Sequence, residues 1–288
     1  MGTQTVTTGQ LENAQRVTIG EVLFTMEHNA PCANLIRHFT MKQGEKTKTI
    51  PKVGQMTSSD LVDGVDIVDS EDIGMTTTDL TSTEKGLKVI LTDKLVRQED
   101  ADVFRMVGHQ TGDAMARQKD EKIIALFTAL NGGTTLGLAA KEMSLLNYSA
   151  CIARMENAKA PRPWFGIHHP YAVYALMSSM SVTPGSTYGF PTGYSEKLLH
   201  DFFGITINRV PLFHDGNIAL DASDDGIGCI ASKEAMCSIN EKGVNTERER
   251  DASLRATELV VTADYGVFEL DDGYGFPMTY DCTVSTSA

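Results

Sequence analysis

Gly86-Leu87-Lys88-Val89-Ile90-Leu91-Thr92-Asp93-Lys94-Leu95-Val96, followed from Gln98-Glu99-Asp100 by a long run of helical periodicity, decides how the chain is read. Leu87, Val89 and Leu91 alternate with Lys88, Ile90 and Thr92, the period of two expected for a strand with one covered face. Past the carboxylates at 98–100, Val103, Met106, Val107, Gln110 and Ala114 recur at three- and four-residue spacing and predict one helix face. Ile123, Ile124, Phe127 and Leu130 continue the pattern, and Asn131-Gly132-Gly133 supplies residues that tolerate the left-handed end of a helix. A helix unbroken from 100 to 130 is roughly 45 Å long at 1.5 Å per residue. Gly108 and Gly112 each cost about 1 kcal/mol relative to Ala inside it, so they mark a place where the rod bends.

Ahead of this unit, residues 46–53 read as a strand that Pro51 confines to a sheet edge, because proline cannot donate to a ladder. Between Val53 and Glu84 the acids Asp60, Asp63, Asp66, Asp69, Glu71, Asp72, Asp79 and Glu84 meet no Lys or Arg. The flanks reverse the sign, with Lys42, Lys46, Lys48 and Lys52 before the segment and Lys85, Lys88, Lys94 and Arg97 after it. A hairpin with a basic stem and an acidic, Thr- and Gly-rich tip has too little apolar surface for its own core. It is either a solvated flexible loop or a segment held by another molecule.

With 288 residues, 41% of them hydrophobic and 22% charged, the chain holds one large or two modest cores. No apolar run is long enough to cross a bilayer, so no membrane association is expected. The N-terminus lacks the basic and apolar regions of a signal peptide, and Val6 stands where a myristoylation motif wants Ser or Thr. A formal net charge of −13 argues against a surface that grips nucleic acid, because phosphate neutralisation needs clustered Lys and Arg. Cys32, Cys151, Cys229, Cys237 and Cys282 are odd in number and scattered, which predicts reduced, mostly buried thiols of a protein made in cytoplasm.

The rest of the chain divides as follows. Residues 1–20 read as an arm, and Ile19, Val22, Leu23 and Met26, then Leu35, Ile36 and Phe39, as short apolar elements separated by Pro31. Residues 138–160 predict a helix with Met143, Leu146, Ala150, Ala153 and Arg154 on one side, broken by Pro161-Arg162-Pro163. Trp164-Phe165-Gly166-Ile167 is a short buried strand, Pro170 opens a helix, and 181–193 is a loop. A short helix over 195–204 precedes a strand over 205–212. Further strands follow at 218–222, 228–231 and 258–270, with alternating charge at 246–251.

His168-His169, His200-Asp201 and His214-Asp215 invite a metal or hydrolytic reading, but the spacing disagrees. His168 and His169 are neighbours rather than partners one helical turn apart, Asp215-Gly216 reads as a turn, and there is no HExxH, GxSxG or GxxxxGK motif. No metal ligand, cofactor site or catalytic residue is predicted.

The strand at 86–96, with a long helix containing Ala116-Arg117-Gln118-Lys119-Asp120-Glu121-Lys122-Ile123-Ile124, resembles the major capsid proteins of tailed bacteriophages. Their Hong Kong 97-type fold is shared with encapsulin shells. The resemblance covers about 43–281 and is carried by the order of the elements. It implies an α+β fold with a long spine helix, an extended β-hairpin loop, and peripheral and axial domains. By that likeness, 1–40 is an N-terminal arm with short helices, 41–98 the extended loop and 99–133 the spine of the peripheral domain. The axial domain is 134–240, and 241–288 supplies C-terminal strands returning to the peripheral domain.

The implied function is a non-enzymatic shell protein forming pentamers and hexamers that close into an icosahedron around double-stranded DNA. It would be assembled in the host bacterial cytoplasm and located in the virion capsid. Lys52, Asp60, Asp63, Asp66, Lys88 and Arg97 are then the expected inter-subunit contacts. The implied partners are further copies of the chain, a portal and decoration proteins. A separate scaffolding protein is also expected, since the chain starts without a long charged helical segment. The alternatives are an encapsulin-like compartment and, from a different class, an acidic metal-dependent hydrolase.

Overall fold

The computed structural model describes residues 31–42, 44–53, 74–94, 102–180 and 205–283, with positions 56, 58, 60, 63 and 66 between them. The expected N-terminal arm, the helix start at 98–100, the loop at 181–193 and the short helix at 195–204 lie outside the described residues.

The predicted strand is β4 (Thr83–Thr92), and its faces alternate as read: Leu91 is 4% exposed while Ile90, beside it, is 48% exposed. It joins a four-stranded sheet in the order β1 (Arg37–Thr40), β10 (Met236–Asp251), β11 (Ala256–Glu269), β4. β11 is the hub, antiparallel to both β10 and β4. The hairpin stem is β2 (Lys48–Lys52) against β3 (Thr76–Leu80), a two-stranded antiparallel sheet in which Pro51 needs no donor on its outer edge.

The long helix ends earlier than expected. Its described part, Asp102–Ala125, is about 36 Å at 1.5 Å per residue, and it then tightens into the 3-10 turns Phe127–Ala129 and Asn131–Gly133. Asn131 and Gly132 are left-handed (φ 57° and 61°), as the Asn-Gly-Gly run predicts. Ile123, Phe127 and Leu130 are buried as read, but over the first half of the helix the buried face differs from the one expected. Met106 is 62% exposed, and Gly108, Thr111, Gly112, Met115, Ala116, Asp120, Ile123 and Phe127 form the covered stripe. Small residues let the backbone approach its neighbours closely, so size rather than hydropathy sets this face. Thr111 satisfies its hydroxyl locally by donating to the carbonyls of Val107 and Gly108. We label this helix α2, α1 being Pro31–Leu35.

A second sheet carries six strands in the order β5 (Leu136–Gly137), β12 (Gly275–Asp281), β9 (Asp225–Ser232), β6 (Trp164–His168), β8 (Val210–His214), β7 (Ile205–Ile207). Both its faces are covered, so β6 is buried along its whole length and shows an unbroken apolar run. Trp164, Leu212, Ile230, Met278 and Tyr280 face α3 (Leu145–Asn157) and α4 (Pro170–Met180). Phe165, Ile167, Cys229 and Ala231 face the other way, onto Ile123, Phe127 and Leu130 at the end of the spine. Farther up, Met115 packs on Val261, Ala263 and Tyr265 of the four-stranded sheet. One helix therefore ties both sheets together.

Four further readings are corrected. The helix expected at 138–160 starts only at Leu145, where the Ser144 hydroxyl accepts from the Asn147 amide at 3.3 Å. Its core face is Tyr148, Cys151, Ile152 and Met155, whereas Leu146 is 80% exposed. The strand over 205–212 is a hairpin turning at Asn208 and Arg209, both with positive φ, and 218–222 contributes only a Leu220 to Gly226 bridge. The strand β12 pairs with β9 and β5, so the last strand belongs with the six-stranded sheet and not with the spine's four-stranded one.

Candidate functional site

The hairpin is the candidate contact element. Its stem is narrow, and it carries exposed apolar residues beyond the sheet: Val53, Met56 and Met75 are 53%, 58% and 61% exposed. Asp60, Asp63 and Asp66 are all exposed, as an acidic tip requires. Arg97 lies outside the described residues. Both lysines have partners within the chain: Lys52 Nζ reaches Asp271 Oδ2 at 2.8 Å, and Lys88 pairs with Glu258. These lysine side chains stay 44% and 49% exposed, and an ammonium has three donors, so each keeps capacity for a second acceptor. The structure places Lys52 at the tip-side end of the stem, opposite Thr76, and Lys88 on β4, opposite Val260, without bringing either against Asp60, Asp63 or Asp66 by any ion pair among the described residues.

The far end of β4 is pinned by a fork. Arg250 donates from both terminal nitrogens to the Asp93 carboxylate, at 2.5 and 2.7 Å. The base of the hairpin, where the chain passes from β3 to β4, crosses Gly266 of β11 so closely that a Cβ there would lie 2.2 Å from the Thr81 carbonyl oxygen.

Among the described residues the histidines form no cluster of metal ligands. His168 is a core residue, 1% exposed, between the rings of Tyr148 and Tyr280, and burial pushes it down to about 3. It fits only because Gly228 has no side chain, a Cβ there being 2.3 Å from Nδ1. His169 Nδ1 accepts from the Tyr171 amide at the start of α4. His200 and Asp201 lie outside the described residues.

A different trio, unsignalled by any local motif, does converge. Cys32 on α1, Asp120 on α2 and Asp215 in the turn after β8 are all buried, and their ligand-type atoms lie within 4.8 Å of one another. The Cys32 thiol donates to Asp215 Oδ2 at 3.0 Å. Asn217 donates through its amide N–H to Asp215 Oδ1 (2.9 Å) and through Nδ2 to Asp120 Oδ2 (3.2 Å). Burial, and then the Asp215 charge, push the Asp120 carboxyl up to about 7; burial raises the Cys32 thiol further still. These residues are up to 183 positions apart, so only the assembled fold reveals them.

Residues 76–276 match the family model described as phage capsid protein. No curated protein matches the chain. Among solved structures, the fold is similar to the capsid of Helicobacter pylori bacteriophage KHP30, with TM-score 0.68 at 11% identity over 88% of this chain and 92% of that one. The capsid of the cyanophage P-SCSP1u gives TM-score 0.64 at 14% identity, covering 85% and 86% of the two chains. A similar likeness reaches the SrpI encapsulin of Synechococcus elongatus PCC 7942, with TM-score 0.63 at 12% identity over 91% and 92%.

Proposed function

The chain belongs to the phage capsid protein family, and from this we infer that its copies form pentamers and hexamers closing into an icosahedral shell around double-stranded DNA. The observation that carries this reading is the hairpin: a two-stranded stem whose exposed Val53, Met56 and Met75 find no cover among the described residues of the same chain. An arm of this kind gains its stability by lying on a neighbour, and many such contacts sum around a closed shell. The four-stranded sheet with the spine is the peripheral domain of such a subunit. The six-stranded sheet, β12 included, is the axial one.

In the shell, Asp60, Asp63 and Asp66 of one copy meet Lys52, Lys88 and Arg97 of the next. Lys52 and Lys88 accept this second partner without giving up Asp271 and Glu258. Gly108 and Gly112 are where the spine changes curvature when the shell expands, and spine geometry identical before and after expansion would remove that element. A scaffolding protein and a portal direct assembly in the host cytoplasm, decoration proteins bind outside, and the net charge of −13 keeps the inner wall from gripping DNA. The role is structural, without an enzymatic step.

The likeness to an encapsulin supports a second reading, a compartment that loads cargo proteins. Electron microscopy of the expressed protein tests both. Closed shells support assembly, and nuclease-protected DNA in particles from infected cells selects the virus, whereas cargo protein without genome selects the compartment. Asp60→Asn, Asp63→Asn and Asp66→Asn together should weaken assembly and flatten its salt dependence. Unchanged assembly would remove the acidic tip from the contact.

A further inference from the structure

We propose that Cys32, Asp120 and Asp215 form a binding site for a zinc-type divalent ion, which clips α1, the spine helix and the turn after β8 to one another. The site does not depend on the shell reading, since all three ligands come from one chain.

The cluster concentrates acidic groups in the interior. Two carboxylates and a thiol are buried together, at 0%, 4% and 0% exposure for Asp120, Asp215 and Cys32, and neither carboxylate has an ion pair among the described residues. The nearby Lys119 is drawn off over the Tyr265 ring, 5.8 Å from its centroid. A buried carboxylate pair without a counter-charge is costly, and a cation among them offsets that cost.

Asp120 Oδ1 is fully buried and makes no hydrogen bond of ordinary length among the described residues, although its sister oxygen has Asn217 and the Cys32 backbone N–H also acts on the carboxylate. Asn217 holds one oxygen of each carboxylate. This is the part that outer hydrogen bonds play around a metal, fixing the ligands while leaving Asp120 Oδ1 and Asp215 Oδ2 for the ion.

The ligand types set which ion fits. A thiolate selects a zinc-like ion over magnesium or calcium, which take oxygen ligands. Zinc at about 2.3 Å from sulfur and about 2.0 Å from oxygen sets tetrahedral ligands about 3.5 Å apart. The separations here, none above 4.8 Å, close to that with side-chain adjustments of little more than about 1 Å. Asp215 also lines a cleft of about 380 Å³ with Asp113, Arg117 and His214, so one ligand borders an approach path. On binding, the thiol proton and the proton shared by the two carboxyl groups leave to solvent, and the thiolate with two carboxylates surrounds the dication.

The competing occupant is a proton shared between Asp120 and Asp215, and cobalt(II) separates the two. Titrating metal-stripped, full-length protein with cobalt(II) should give a near-ultraviolet thiolate-to-cobalt band saturating at one ion per chain and displaced by zinc. The band should vanish in Cys32→Ser and persist in Cys151→Ser. The near-isosteric Asp120→Asn should weaken binding by at least about tenfold. Zinc should raise the thermal midpoint of the unmodified protein. A wild-type protein without the band, or a band that survives Cys32→Ser, would overturn the site and leave the shared proton as its only occupant.

Discussion

The hydroxyl oxygen of Tyr148 stands 2.1 Å from the point where a Cβ on Gly166 would lie, so α3 seats on β6 through a missing side chain. That hydroxyl is buried and has no hydrogen-bond partner among the described residues. Gly166→Ala should therefore destabilise the chain by about 1–3 kcal/mol through overpacking. Tyr148→Phe, which removes an unpaired polar group, should cost less than about 1 kcal/mol or stabilise. Urea unfolding of the double variant should recover most of the loss, and strictly additive losses would show that the two residues do not share the space.

Adjacent residues of β4 provide a second contrast. Leu91→Ala should cost about 2–5 kcal/mol because its side chain is 4% exposed, whereas Ile90→Ala, at 48% exposure, should stay within about 1 kcal/mol in the unassembled chain. Equal losses would mean that the strand's outer face is covered within the subunit. A loss at Ile90 that appears only in assembled particles would place that face against a neighbour.

Period-two alternation made β4 legible, and the unbroken apolar run of 164–167 announced a strand covered on both sides. Those signals are local. What sequence reading missed depends on packing partners: the covered face of α2 follows Gly108, Thr111 and Gly112, which carry little hydropathy but allow close approach. The core face of α3 is out of phase with Met143, because that buried residue lies two positions before the helix begins. Asn208-Arg209 is a weak turn signal, since only its positive φ values, invisible in the letters, divide β7 from β8. The placement of β12 needed β9 as partner. Likewise, Cys32, Asp120 and Asp215 have no common motif and meet only because α1, α2 and the end of β8 converge.

His38 should make stability depend on pH. Its Nδ1 is 2.7 Å from the Ser238 hydroxyl, and burial, then the Lys119 charge with a smaller push from Lys233, hold it below the usual 6.5 against an opposing hydrogen bond with Ala33. A base with a lowered folded-state pKa takes up fewer protons folded than unfolded, so stability is lost as pH falls below about 6.5. His38→Gln should lose less stability than wild type between pH 7.5 and pH 5.5. Parallel thermal midpoints across that range would show that His38 titrates normally.

Gly266 offers a test of the hairpin that stability alone does not confound. A Cβ there would press on the Thr81 carbonyl at 2.2 Å and on the Phe268 ring at 2.7 Å. The first obstacle is backbone, at the very place where the arm leaves β3 for β4, so the relief must come from moving the arm. Gly266→Ala should cost toward the upper end of about 1–3 kcal/mol. Gly166→Ala strains the core by a comparable amount, but it does so beneath α3 and leaves the arm where it is. With both variants assayed at a temperature where each is folded, Gly166→Ala should assemble and Gly266→Ala should not. If the two assemble equally well, the direction in which the arm leaves the four-stranded sheet does not govern how copies join.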